Sequence, residues 1–297
     1  MRQAGRPVCL FACLNNPNAN ATLNAMTHPF DKAIALTAKE LGNFTGCTSP
    51  AYENMVGPYG GITAAVLVHA VTLHADCLGE MTSLTVNYAS GLAPGPYRII
   101  ATPARTNRST QHWLISLMQI NAAGIEETVI TATALTAVRR NTWHANDMPM
   151  PGVPGPAILN RTRVNAPMEW LNRYDMRFVR GEIPQVMNGC GTDSLSQLWV
   201  RDDPPRLLDA AGLAAMSDVF YPRVYLRRAT RVPAGTVSMT VYFHASTAEM
   251  AENVSGCLFA QGQAQAFRHG FFDQTAQLWS ESGLLLATRH QLVYYKE

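Results

Sequence analysis

Between Gly57 and Leu73 the sequence reads GPYGGITAAVLVHAVTL, a run whose small and aliphatic residues fall on every side of a helical turn. A surface helix keeps a polar stripe, so a helix that is apolar all round has to be enclosed. The next stretch of chain is suited to enclose it. Segments Ser83–Ala89, Tyr97–Thr106, Gln111–Ile120 and Thr128–Val138 carry the alternating or continuous apolar texture of strands. Turn residues separate them, including Ala93-Pro94-Gly95-Pro96 and Asn121-Ala122-Ala123-Gly124.

The same order recurs after a Pro- and Gly-rich stretch, MPMPGVPGP at Met148–Pro156, which suits neither a helix interior nor a central strand. Strand-like Met176–Val179 and Ser196–Arg201 lead to a helix expected at Arg206–Phe220, introduced by Pro204 and Pro205. Strands are then expected at Thr236–His244, Leu258–Phe267, Gly270–Ser280 and Leu284–Tyr295. Ser83-Leu84-Thr85-Val86 corresponds to Ser238-Met239-Thr240-Val241, each as the first strand after its helix. The chain thus divides into a first unit at 27–147, a linker at 148–172 and a second unit at 173–297, with 1–26 as a leader or extended start. A helix followed by consecutive antiparallel strands is an α+β layer, and two such layers side by side can join their sheets and leave a cleft between the helices.

Composition narrows the partners. With 297 residues, 47% of them hydrophobic, the chain can bury a large core. A net charge of +2 lacks the basic field of a nucleic-acid binder. No apolar run reaches the length of about 18 residues needed for a membrane span. Arg2 and Arg6 precede a short apolar stretch, Val8–Leu14, without an export cleavage site; the six cysteines lack the paired short spacings of a zinc site, and a chain of this size does not need disulfide staples. Reduced thiols in a cytoplasmic protein are the expectation, with no metal.

Several blocks occur in a telling order: Tyr59-Gly60-Gly61 opening the first helix, Arg105-Thr106-Asn107-Arg108-Ser109 before a long strand, Ser217-Asp218 closing the second helix, Ser238–His244, and Leu286-Ala287-Thr288-Arg289-His290-Gln291. In these blocks the chain resembles the thioesterase-like superfamily, in the double hotdog branch typified by acyl-CoA thioesterase II, over about residues 29–297. The resemblance implies a tandem hotdog, two antiparallel sheets each wrapping a central helix. It also implies hydrolysis of fatty acyl-CoA thioesters by a positioned water, with CoA present only as part of substrate and product.

In that family an Asp, a Thr and a Gln hold the water. Laid on this chain, the Gln falls on Gln291, the Asp position on Ser238 and the Thr position at or near Gln263. A serine hydroxyl or a carboxamide does not accept a proton effectively near neutral pH, so another carboxylate is sought. Asp218 and Glu53 are the first candidates, each with the alternative of a solvated or helix-end role, and Asp273 is a third. Backbone N–H groups at Gly60 and Gly61 are candidate oxyanion donors, because a helix start leaves them free; close packing is the alternative reading. Arg223, Arg227, Arg228 and Arg231 are candidates for gripping CoA phosphates, or else a solvated face. Two rival functions remain: a non-catalytic acyl-CoA or lipid binder, suggested by Ser238, and a hydratase or dehydratase, which needs a carboxylate and histidine pair. An open sheet edge gives a route to homo-oligomers.

Overall fold

The computed structural model describes residues 28–163, 168–254 and 256–297. The expected leader at 1–26 lies outside them. In chain order the elements are α1 (Pro29–Ala33), β1 (Thr37–Glu40), β2 (Asn43–Cys47), α2 (Gly60–Thr72), β3 (Glu80–Tyr88), β4 (Pro96–Thr106), β5 (Thr110–Ile120) and β6 (Glu126–Ala137). The second half continues with β7 (Tyr174–Arg180), β8 (Ser196–Asp202), α3 (Ala210–Met216), α4 (Arg223–Arg227), β9 (Ala234–Phe243), α5 (Thr247–Asn253), β10 (Leu258–Gln263), β11 (Phe267–Arg268), β12 (Phe271–Trp279) and β13 (Leu285–Tyr295).

The strands form one antiparallel sheet in the order β1-β2-β4-β5-β6-β3-β9-β13-β12-β10-β8-β7, with β11 paired to β12. Read from either end the order is the same pattern, so each half is a hotdog and the halves meet at β3 and β9. The register there has the symmetry of a twofold: Ser83 faces Tyr242, Asn87 faces Ser238, and Thr85 faces Thr240 at the centre. The Thr85 and Thr240 hydroxyls hydrogen-bond at 3.0 Å. The sequence match of Ser83–Val86 with Ser238–Val241 is therefore a match of symmetry-related positions.

Helix α2 is enclosed as its composition requires: from Gly61 to Val71 all but His69 are buried. It packs on α3, which is shorter than the sequence suggests. Asp209 caps α3 by accepting from the Gly212 N–H at 2.7 Å, so the helix begins there and not at Arg206, and it ends at Met216. The two helices come very close. A Cβ on Gly61 would lie 2.5 Å from the Ala215 carbonyl oxygen, so only glycine fits. Tyr59 Oη donates to that same carbonyl at 2.7 Å.

The Pro- and Gly-rich segment lies against the outer face of the second half. Trp279 Nε1 donates to the Met148 carbonyl and Trp199 Nε1 to the Pro154 carbonyl, over a small cluster of Trp199, Phe259, Trp279 and Cys257. Cys47, Cys77, Cys190 and Cys257 are free thiols. Among the described residues no helix is long and apolar enough to cross a membrane.

Candidate active site

Strand β13 turns alternate side chains toward the helices, so Ala287, Arg289, Gln291 and Val293 are buried while His290 and Leu292 face outward. Gln291 is paired with Met239 of β9. One residue further along, β9 bulges: Ser238 faces Leu292, but Thr236 faces Val293, leaving Val237 as the extra residue. The bulge returns Thr236 to the inner face. Gln291 Nε2 donates to Thr236 Oγ1 and, at 3.1 Å, to Asp218 Oδ1.

Asp218 follows α3 by two residues, where the helix ends beside the start of α2. A Cβ on Gly60 would stand 2.8 Å from Asp218 Oδ2, so the missing side chain of Gly60 makes room for the carboxylate. Arg289, wholly buried, donates from Nη1 to Asp218 Oδ1 at 3.0 Å and also to Gln291 Oε1. Burial raises the Asp218 pKa to about 6, against the lowering effects of the Arg289 charge, the Gln291 hydrogen bond and the Gly61 N–H. A carboxylate at about 6 is ionised at neutral pH yet basic enough to take a proton from water.

The expectations for individual residues divide on this geometry. Gln291 and Asp218 are brought together, and Gly60 and Gly61 border them. The Gly61 N–H is directed at the Asp218 carboxylate, so it is committed to holding that group. Ser238 does not join them: its partners Leu292 and Asn87 put it on the outer face. Gln263 is likewise removed, exposed at the end of β10 opposite Thr275, which itself pairs with outward-facing His290. Thr236 and Arg289 are members of the cluster that the family pattern does not point to. Glu53 is exposed in the loop before α2, and Asp273 accepts from the Gln265 and Ala266 N–H groups on the outer face.

Arg223 corrects the arginine cluster. Its guanidinium is fully buried and donates to the carbonyls of Tyr221 and Ser194 and to Ser196 Oγ, so no phosphate at the surface can use it. Arg227, Arg228 and Arg231 are exposed; Arg227 also donates to the Gly191 carbonyl and Arg228 to Glu297. Beginning one residue beyond Gly61, a small, mostly apolar cavity of about 10 Å³, room for a single water, is lined by Ile62, Thr63, Val66, Leu92, Tyr97 and Leu117.

Comparison with known proteins gives a consistent result. The family model for the acyl-CoA thioesterase N-terminal domain matches residues 49–137, and that for the acyl-CoA thioesterase C-terminal domain matches residues 145–295. Among solved structures, a hot dog fold protein of unknown function from Alicyclobacillus acidocaldarius is 43% identical, with a TM-score of 0.84 over 91% of this chain and 99% of that one. A putative thioesterase II from Thermobifida fusca shares 21% identity at TM-score 0.75, covering 90% of this chain and 97% of its own. A tesB protein of Mycobacterium avium subspecies paratuberculosis shares 17% identity at TM-score 0.72, covering 90% and 98%. The latter two show the shared fold. A search of curated proteins found no match.

Proposed function

The chain belongs to the acyl-CoA thioesterase family, with both of its domains present, and from that premise we propose that it hydrolyses fatty acyl-CoA thioesters at the Asp218, Gln291 and Thr236 cluster. The observation that carries this reading is the carboxylate itself: Asp218 sits just past the end of α3 and beside the start of α2, hydrogen-bonded to Gln291, with its pKa tuned to about 6. Ser238 by itself suggests a binder without a base; Asp218 supplies the base.

In this reading, water lies between Asp218 Oδ2 and Thr236 Oγ1. The carboxylate draws a proton from the water as its oxygen attacks the thioester carbon. Thr236 Oγ1 already accepts from Gln291, so its own hydrogen is free to be donated to that water. Helix-start N–H groups face the developing oxyanion, Gly60 being the better placed because the Gly61 N–H is engaged. The C–S bond then breaks, the proton that Asp218 took from water passes to the leaving thiolate to give the CoA thiol, and the fatty acid is released with the carboxylate restored. The small apolar cavity beside Ile62 and Val66 has to widen to take part of the acyl chain, while exposed Arg227, Arg228 and Arg231 serve the CoA phosphates.

The test is thiol release from a panel of saturated acyl-CoAs, followed with a thiol-trapping reagent. Wild type turns over; Asp218→Asn loses on the order of 10²–10⁴-fold in kcat while keeping its fold. Full activity in Asp218→Asn, or acyl-CoA binding without any turnover by wild type, defeats the reading.

A further inference from the structure

Resting on the hydrolytic reading above, we propose that Arg289 is a positioning residue of the reaction: one guanidinium nitrogen clamps Asp218 and Gln291 together and dictates which end of the glutamine amide faces the carboxylate. A carboxamide has one accepting and one donating end. Arg289 Nη1 occupies the Oε1 end, so Nε2 is left to face Asp218 Oδ1 and Thr236 Oγ1. A neutral side chain at 289 leaves Oε1 free to turn toward the Thr236 hydroxyl, which would claim the hydrogen that water needs.

Arg289 is a costly way to fill a core position, and that argues against a purely structural part. Its Nε and Nη2 find no hydrogen-bond partner among the described residues. A second buried cation, Arg223, shares the Phe220 ring with it: the two guanidinium carbons lie 5.5 Å and 5.6 Å from the ring centre for Arg223 and Arg289 respectively. Burial lowers the pKa of both, and their mutual repulsion lowers that of Arg223 further. Well-packed apolar residues commonly replace a buried ion pair with no loss of stability. What an apolar residue cannot replace is the charge beside Asp218.

The surroundings of Asp218 make that charge decisive. Gln291 and Arg289 reach it from β13, the Gly61 N–H and Tyr59 from the start of α2, Tyr88 from β3 and Tyr174 from β7. The three tyrosines are neutral, their pKa values pushed up by burial. Arg289 is thus the cation that opposes the desolvation of Asp218, and the glutamine and glycine donors add to it.

The experiment compares wild type, Arg289→Met, Arg289→Lys and Asp218→Asn as full chains, measuring kcat against pH on the best substrate of the acyl-CoA panel. Wild type should lose activity as pH falls through about 6. In Arg289→Met this limb should move up by about one pH unit or more, with activity partly regained at alkaline pH, and in Arg289→Lys it should stay near the wild-type position. A uniform loss at every pH, or an unchanged profile in Arg289→Met, overturns the positioning part. Asp218→Asn separates the two readings: if it remains active, hydrolysis by this cluster fails whatever Arg289→Met does. Should Arg289→Met not fold, the infrared difference between wild type and Asp218→Asn reads the carboxylate directly. A band present at pH 7 and lost near 6 supports the clamp; a carboxyl still protonated above pH 7 overturns it.

Discussion

Asp218 Oδ2 lies 2.8 Å from the point that a Cβ on Gly60 would occupy, whereas the corresponding point on Gly61 lies 2.5 Å from the Ala215 carbonyl. Adjacent glycines therefore guard different things. Gly60→Ala should displace the carboxylate and cost activity more than stability. Gly61→Ala has to push α2 away from α3 and should destabilise the fold by about 1–3 kcal/mol, the usual range for overpacking. Thermal melts and kcat measured on both variants check the split, and equal effects on both quantities in both variants would contradict it.

The bulge at Val237 makes a second prediction. Because it returns Thr236 to the inner face and leaves Ser238 on the outer one, Thr236→Ala and Gln291→Ala should each lower kcat by at least about tenfold, the worth of one hydrogen bond to a charged or reacting group. Ser238→Ala and Gln263→Ala should stay within about twofold of wild type. A large loss in Ser238→Ala would mean that the family pattern, laid linearly on this chain, is right about that strand.

Much of the architecture is legible in the residues because the burial it demands is written into them. The stretch Gly61–Val71 has almost no polar side to expose, and the strands after each helix alternate as half-buried strands must. The pairing of Thr85 with Thr240 turns the short repeat into a symmetry axis. The opening hairpin β1–β2 escapes a sequence reading because all four residues of β1 are exposed and carry no alternation. The second helix is overdrawn at its start because the capping role of Asp209 looks, in sequence, like one more helical residue. The candidate site is half legible. Arg289 stands two residues from Gln291 on one strand and so shares its face, which is a usable signal. Thr236 gives no such signal: alternation counted back from Met239 puts it on the wrong side unless the bulge is known. Arg223 groups with its neighbours by proximity, and nothing in a run of arginines tells which one turns inward.

That inward turn gives a third prediction. Removing the charges of Arg228 and Arg231 should leave stability within about 0.5 kcal/mol, since surface ion pairs such as Arg228–Glu297 contribute little. It should raise KM for acyl-CoA several-fold and leave KM for a truncated thioester lacking the nucleotide unchanged. Arg223→Met should do the reverse, leaving the Ser194 and Tyr221 carbonyls without their donor and lowering stability by about 2–4 kcal/mol. Urea titrations and KM values on both thioesters check the pair.

Asp202, far from the chemistry in role, reports on pH. It ends β8 beside a cavity of about 100 Å³; its side chain is buried, and neither oxygen has a hydrogen-bond partner among the described residues. Burial raises its pKa from 3.8 to about 7; the Arg206 charge opposes this, and Asp209 and Asp31 reinforce it. The folded state therefore holds a proton that the unfolded state releases near 4, so this group makes stability fall as pH rises from about 4 to about 7. Asp202→Asn cannot ionise and escapes that loss. The variant should match wild type near pH 4 and become progressively more stable than it toward pH 8, by at most about 4 kcal/mol at 1.36 kcal/mol per pH unit. Denaturation midpoints measured across that range check the sign, and a stability difference that is flat, or that shrinks as pH rises, would show that Asp202 is ionised and compensated in the folded protein.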